Sequence, residues 1–178
     1  MITDVFDAIR DGYYEDFKNY YHGDVREIDP YSKLNLLLMA MVNSKNPADK
    51  IKMIQTLLHD GIDINYIDKK YRRNALHTLY FNALDSDVAY LEQVVYKLVS
   101  AGIDINAKDI YGAIPLKYAL TVCKQTTANM EKQYRYLLKC GSDYKHKDNF
   151  GKNCLDYAEE LSWRANFIKI AEEVENEN

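Results

Sequence analysis

The middle of the chain contains the segment Leu98-Val-Ser-Ala-Gly-Ile-Asp-Ile-Asn-Ala-Lys-Asp109. It begins with the apolar end of a predicted helix, and Gly102 follows where that helix must end. Glycine is favoured there because the end of a helix often requires a left-handed backbone. Similar segments begin at Leu57 and Leu137. The chain therefore contains an internal repeat.

The repeat has a period of about 40 residues. Matching leucines occur at intervals of 39, 40 and 39 residues, at positions Leu37, Leu76, Leu116 and Leu155. Such a period is typical of proteins in which helical units stack side by side. We predict an all-α solenoid of helix–turn–helix units, with about five repeats including the end caps and no long β-sheet.

These motifs resemble the ankyrin repeat, in which Leu-Leu-x-x-Gly-Ala-Asp-x-Asn ends one helix and Thr-Pro-Leu-His-x-Ala opens the next. Here the opening reads Asn74-Ala75-Leu76-His77 and Ile114-Pro115-Leu116-Lys117. The resemblance implies an ankyrin-like solenoid with β-turn fingers, and it implies a protein-binding role. Because an ordinary ankyrin unit has about 33 residues, we expect longer helices and longer connections within each unit. First helices are predicted over 34–43, 76–84 and 115–124.

We assign residues 1–178 to a single ankyrin-repeat domain. The predicted units are an N-terminal capping repeat at 1–29, internal repeats at 30–68, 69–109 and 110–148, and a C-terminal capping repeat at 149–178. Asn46 and Asp87 are predicted to begin second helices as N-cap residues. The first of these helices should bury Ile51, Ile54, Leu57 and Leu58, and the second should bury Leu91, Val94, Val95 and Leu98.

Composition and charge indicate a soluble, cytoplasmic protein that does not enter a membrane. The 178 residues carry a net charge of −4, and the longest apolar run, 36–42, is too short to cross a bilayer. Three cysteines form no CxxC motif, which favours a reducing compartment. Both ends are acidic and the middle, 30–155, is basic. The acidic ends either keep the open ends of the solenoid soluble, or leave a basic central face for an acidic partner.

Aromatic residues repeat in the predicted fingers. Tyr31, Tyr71, Tyr111 and Phe150 follow at intervals of 40, 40 and 39 residues. The rings either stack and stiffen neighbouring fingers, or form a row of contacts for a partner, where tyrosine is favoured. The full set of predicted partner-binding residues adds the cationic finger and two positions in first helices: Lys69, Lys70, Arg72, Arg73, Phe81 and Tyr118.

No catalytic motif is found, and we predict that the protein is not an enzyme. The four histidines lack metal-binding spacing, and nucleotide-binding and nucleophile motifs are absent. We therefore predict no catalytic residue, no metal and no cofactor. The resemblance implies that His77 bonds to backbone, while Cys140 and Cys154 are predicted to be buried thiols.

The predicted function is a protein-binding module, most specifically an inhibitor or immunity-type protein that neutralises one partner such as a cognate toxin. The alternatives are a general adaptor or scaffold, and a nucleic-acid-binding protein that uses the basic middle. We expect a monomer that binds a protein with an acidic or mixed surface, and no nucleic acid or membrane. A competing binding surface is the opposite edge, at the connections 43–47, 85–87 and 125–129.

Overall fold

In a computed structural model, which describes residues 1–177, ten α-helices follow one another as five pairs. The first helices of the pairs stack in one row and the second helices stack in another. The helices are α1 (Val5–Asp11), α2 (Tyr14–Tyr20), α3 (Leu36–Ala40), α4 (Pro47–His59), α5 (Ala75–Phe81), α6 (Val88–Ser100), α7 (Pro115–Thr121), α8 (Thr127–Lys139), α9 (Cys154–Glu160) and α10 (Asn166–Asn176), with a 3₁₀ turn at Ser162–Arg164. Extended pairing among these residues is limited to an isolated bridge between Ile28 and Asn35. The predicted all-α solenoid is confirmed.

The lengthening of the repeat lies in the second helices and in the connections. Helices α4, α6 and α8 each have 13 residues. The predicted first helices were too long, since α3 has 5 residues and α5 and α7 have 7. The remaining residues form the connections 41–46, 82–87 and 122–126.

The core is formed by the faces where the two rows of helices meet. Leu37, Leu76 and Leu116 are buried, whereas the matching Leu155 in the last pair is only half-buried. The four residues predicted to face inward from α6 are all buried. In α4, however, Ile51 and Leu58 are half-buried, and Met53 and Lys50 are buried beside Ile54 and Leu57. The inward face of α4 therefore includes a lysine.

Two of the predicted N-caps differ in how they work. The Asp87 side chain accepts a hydrogen bond from the Tyr90 amide, as expected of an N-cap. Asn46 precedes α4 but makes no side-chain cap hydrogen bond, and its backbone is left-handed. Its side-chain amide instead donates to the carbonyls of Asp11 and Gly12, at 3.3 and 2.9 Å. The Asn46 side chain thus joins two repeats rather than capping its own helix.

The repeated Asp-x-Asn motif forms a ladder between units. The Asn65 side chain donates to the Gly102 carbonyl and accepts from the Asp104 amide, at 3.2 and 2.7 Å. Asn106 makes the same two bonds to Gly141 and Asp143 one unit later. The aspartate of each motif accepts from the amide two residues ahead. The motif therefore joins neighbouring units through the asparagine and forms a turn through the aspartate.

Four fingers, at residues 29–34, 68–73, 109–113 and 148–152, project from one side. Each is a turn in which an aspartate begins the finger and a residue with positive φ closes it. Gly112 and Gly151 close the last two, at φ 69° and 76°. The first two fingers are one residue longer, and Lys33 and Arg72 take that backbone, at φ 61° and 58°. The first two fingers therefore form the same left-handed turn without a glycine.

Replacing Gly112 with alanine is expected to destabilise the fold more than the same change at Gly61. Both residues have positive φ, which costs a residue with a Cβ about 1–2 kcal/mol. At Gly112 an added Cβ would also lie 2.6 Å from Asn149 Oδ1, whereas nothing lies within 4 Å at Gly61. Displacing the Asn149 side chain adds about 1 kcal/mol. Urea unfolding of the two variants checks the order, and equal losses would contradict the close contact.

Candidate protein-binding surface

A groove of about 410 Å³ lies between the last three fingers and helices α5 and α7. Six of the ten predicted partner-binding residues line it, together with Lys117, which the prediction lacked. The predicted lining residues are Tyr71, Arg73, Phe81, Tyr111, Tyr118 and Phe150. The other four, Tyr31, Lys69, Lys70 and Arg72, lie outside the groove and are exposed. The structure therefore brings most of these residues together on the finger side.

Arg73 forms the floor of the groove and is 8% exposed. Its guanidinium carbon lies 4.9, 4.0 and 4.8 Å from the ring centres of Tyr71, Phe81 and Tyr118. Nη2 donates to the Tyr118 hydroxyl at 3.1 Å, and Nε lies 3.5 Å from Asp109 Oδ2. Arg73, predicted as a partner-binding residue of the cationic finger, is therefore buried, unlike Lys69, Lys70 and Arg72. Three aromatic rings surround the guanidinium, so Arg73 positions the walls of the groove.

Both carboxylate oxygens of Asp109 accept hydrogen bonds from residues that form the base of the groove. Its Oδ2 accepts from the Tyr118 hydroxyl, and its Oδ1 accepts from the amides of Tyr111 and Ala113, at 2.9 and 3.0 Å. Burial, together with the hydrogen bond to Asp109, raises the pKa of Tyr118 to about 12. Tyr118, predicted as a contact residue, is itself buried and holds the base of the finger.

The fingers around the groove are joined to one another. The Ile110 amide donates to the Tyr71 carbonyl, and the Asn149 amide donates to the Tyr111 carbonyl, both at 2.9 Å. The rings of Tyr111 and Phe150 stack with their centres 6.3 Å apart. Phe150 nevertheless remains 65% exposed and Tyr111 37% exposed. The stacking alternative therefore applies to these two rings, which still face outward, and contact with a partner stays a prediction.

Tyr31 and Tyr71 depart from this pattern. Tyr31 is 91% exposed and makes no ring contact among the described residues. The Tyr71 ring lies between two cations instead, with Lys70 Nζ 4.9 Å and the Arg73 guanidinium 4.9 Å from its centre. Within residues 1–177, ring stacking in the aromatic row therefore joins Tyr111 to Phe150 alone.

Lys117 is the groove residue that the sequence prediction missed. It is half-buried, and its Nζ lies 4.5 Å from the Tyr118 ring centre and 5.2 Å from that of Tyr157. Burial lowers the pKa of Lys117. It occupies the motif position where His77 stands one repeat earlier, so the departure from histidine was the available signal. His77 uses that position structurally: its Nε2 bonds the Ala113 carbonyl at 2.8 Å, as the resemblance implied.

The acidic end of the protein neutralises basic residues away from the groove. Glu173 pairs with Arg135, and Glu175 pairs with Lys145 at 2.5 Å. By contrast, within residues 1–177 no ion pair joins a carboxylate to Lys69, Lys70, Arg72 or Lys117. In the described part of the chain, the second finger therefore presents three cations without an ion pair, and the groove adds Lys117.

Two further grooves lie elsewhere. The larger, about 740 Å³, runs along the edge formed by the connections within the units, and includes Leu84, Lys124 and the exposed Trp163. The other, about 390 Å³, lies between α6 and α8 and is flanked by Tyr96 and Tyr136. The edge groove is the competing surface expected from the lengthened connections.

The cysteines differ in their exposure to solvent. Cys154 is buried and burial raises its thiol pKa to about 12, whereas Cys140 is exposed, so its predicted burial is wrong. Cys140 directly follows the last turn of α8 as its C-cap residue. Residues 1–177 contain no cluster of three or more side chains suited to hold a metal. Across the same residues, every helix is too short or too polar to cross a membrane.

The helix pairs are consistent with ankyrin repeats. No protein-family profile matches the sequence. The chain is 27% identical over 123 residues to the E3 ubiquitin-protein ligase KEG of Arabidopsis thaliana. That similarity covers 69% of this chain but only 7% of the plant protein. It is therefore a distant similarity to a small part of a much larger protein.

Proposed function

We propose that this chain is a non-catalytic protein-binding module that recognises a partner through the finger-side groove. The observation that carries the proposal is the joining of exposed aromatic rings with Lys117, a cation without an ion pair within residues 1–177, in one preformed concave surface. Rigid aromatic side chains and arginine are favoured at the centres of protein interfaces. Backbone bonds between the fingers hold the rings in place, which lowers the entropic cost of binding.

The more specific proposal is an inhibitor or immunity-type protein that occludes one protein, such as a cognate toxin. The groove and the second finger present positive charge, which suits a partner with an acidic or mixed surface and speeds association. The alternative is an adaptor, for which the separate edge groove around Trp163 offers a second surface. An inhibitor should abolish the partner's activity at equal concentrations, whereas an adaptor should leave that activity intact and bind a third protein.

Removing two rings is expected to weaken binding by about 30-fold, the equivalent of about 2 kcal/mol for interface anchors. The variant combines Tyr71→Ala with Tyr111→Ala, and the partner is first captured from native lysate, identified and purified. Isothermal titration then compares this variant with the unaltered protein. Because neither ring is fully buried, urea unfolding should be little changed.

Two control variants separate the three grooves. Leu84→Ala with Trp163→Ala removes exposed apolar side chains from the edge groove, and Tyr96→Ala removes a 61% exposed ring from the α6–α8 groove. Both are expected to bind the partner normally. Normal binding by the Tyr71/Tyr111 variant, together with loss of binding in the Leu84/Trp163 variant, would place the function on the edge instead.

A further inference from the structure

We infer that the groove accepts an acidic side chain of the partner, an aspartate or glutamate, against Lys117, with a neighbouring apolar side chain packed on the rings of Tyr111 and Phe150. This inference rests on the proposed protein-binding function and names the chemistry of the segment that is bound. The occupant is a short segment of protein with an acidic residue beside an apolar or aromatic one.

The charge of the groove supports the acidic part of this segment. Lys117 is half enclosed by aromatic rings, and no carboxylate within residues 1–177 forms an ion pair with it. Taking a cation out of water is unfavourable unless an anion or an acceptor compensates it. Burial lowers the pKa of Lys117, and the nearby charges of Asp148 and Asp109 offset this effect only in part. A carboxylate that enters the groove would provide the missing partner.

The acids near Lys117 are already engaged. Both oxygens of Asp109 accept hydrogen bonds from the finger and from Tyr118. Asp148 accepts from the Tyr157 hydroxyl at 2.5 Å and from two finger amides. Arg73 adds a second cation at the floor, and its Nε has no hydrogen-bond acceptor. These donors are neutral and leave the charges of Asp109 and Asp148 in place, so the two carboxylates balance Arg73 and Lys117 in number. Arg73 lies against Asp109, whereas Lys117 forms no ion pair within residues 1–177 and is the cation of the groove that remains open to a partner's carboxylate.

The rings support the apolar part of the segment. Phe150, Phe81 and Tyr111 are 65%, 44% and 37% exposed, and they surround the same groove as Lys117. An acidic side chain alone would leave these rings in water. A partner segment that places an apolar side chain beside the acid covers both features at once, which is the combination that gives strong, specific contacts.

The test is a selection of random heptapeptides displayed on phage against the full-length protein, followed by synthesis of the enriched peptides. We expect the enriched sequences to share an Asp or Glu next to an apolar residue. Changing that acid to its amide should weaken binding at least tenfold to the unaltered protein. The same change should have little effect on binding to Lys117→Met, since the charge that it pairs with is already absent. Lys97→Met, which removes a lysine from the α6–α8 groove, should behave like the unaltered protein.

A second measurement reports on the lysine itself. With ¹³C-labelled lysine, NMR titration of the Cε resonances should show the pKa of Lys117 rising when an acidic peptide binds, because a neighbouring carboxylate favours the charged amine. The inference would be overturned if the enriched peptides lack an acid and yet bind the Tyr71/Tyr111 variant less well than the unaltered protein. The proposed function would then still stand. A peptide acid that contributes equally with and without Lys117 would overturn the inference as well, and so would a failure to enrich any peptide. The proposed function fails separately, if the captured protein partner binds the Tyr71/Tyr111 variant normally.

Discussion

Replacing Arg164 with methionine is expected to lower the free energy of unfolding by about 3–5 kcal/mol. Arg164 is fully buried in the 3₁₀ turn before α10. Its guanidinium donates to the carbonyls of Leu120 at 2.8 Å and Gln125 at 2.7 Å, and to that of Cys123. Methionine fills a similar volume but donates nothing, so three carbonyls around the end of α7 lose a partner. Each buried polar group left unsatisfied costs about 1–3 kcal/mol.

Arg135 provides the matched control for this experiment. It pairs with three glutamates, Glu131, Glu173 and Glu177, yet it lies on the surface of α8 with its side chain 26% exposed. Surface ion pairs contribute about 0–1 kcal/mol, so Arg135→Met should have a small effect despite the larger number of charged partners. Urea unfolding of both variants gives the comparison. If Arg164→Met is as stable as Arg135→Met, the hydrogen bonds from the buried guanidinium to the connection after α7 do not stabilise the fold.

The repeating features of the fold were predictable because they depend on local sequence. Gly102 must end α6 with a left-handed backbone, and its φ is 89°. Leu37, Leu76 and Leu116 fall on the buried face of the short first helices in three successive units. Each of these requirements recurs about every 40 residues, so the pattern itself carried the information. The five helix pairs follow from it.

The buried cations were not predictable, because their partners are distant in sequence. Lys50 and Arg164 are long charged side chains, a type that is almost never fully buried without partners. Their acceptors are carbonyls about 40 residues earlier, in the preceding unit. A periodic pattern shows which residues face inward but not which backbone groups lack a donor there. The lengthened connections are thus fastened by side chains of the next unit, which the sequence did not reveal.

The same reason explains the errors in the candidate site. The sequence placed the aromatic residues and cations on the finger side, but the depth of each side chain depends on ring packing. Arg73 reaches Tyr118, 45 residues away, and is buried by three rings. Lys70, three residues earlier, stays exposed beside a single ring. Cations that are adjacent in the sequence therefore differ in depth: Arg73 is buried and positions the rings, whereas Lys70 stays exposed.

Replacing Lys50 with methionine is the second change expected to have a large effect, a loss of about 2–4 kcal/mol at pH 7. Lys50 is fully buried in α4, and Nζ donates to the carbonyls of Ile9 and Arg10 at 2.6 Å each. These are carbonyls of the last turn of α1, whose negative dipole end favours a cation. Together with Asn46 on the next two carbonyls, Lys50 joins the N-terminal capping unit to the rest of the stack.

The loss caused by Lys50→Met should also depend on pH, in a direction set by burial. Burial lowers the pKa of Lys50 from 10.5 to about 8. Between pH 8 and 10.5 the unfolded chain therefore binds more protons than the folded one, and the contribution of Lys50 to stability rises with pH. Below pH 8 the lysine is charged in both states, and the cost of burying that charge is fully present. The difference between the unaltered protein and Lys50→Met should widen by about 1 kcal/mol from pH 7 to pH 9.

Comparing each variant with the unaltered protein at the same pH cancels the titration of tyrosines and cysteines common to both. Lys45→Met is the matched control, since Lys45 lies just before α4 and also reaches the end of α1, but its side chain is 63% exposed and pairs with Asp11 at the surface. It should cost less than about 1 kcal/mol, and this cost should stay nearly constant from pH 7 to pH 9. Urea unfolding at the two pH values measures both effects. A loss for Lys50→Met that narrows as the pH rises would mean that the carbonyls of α1 hold the charged amine more strongly than burial disfavours it.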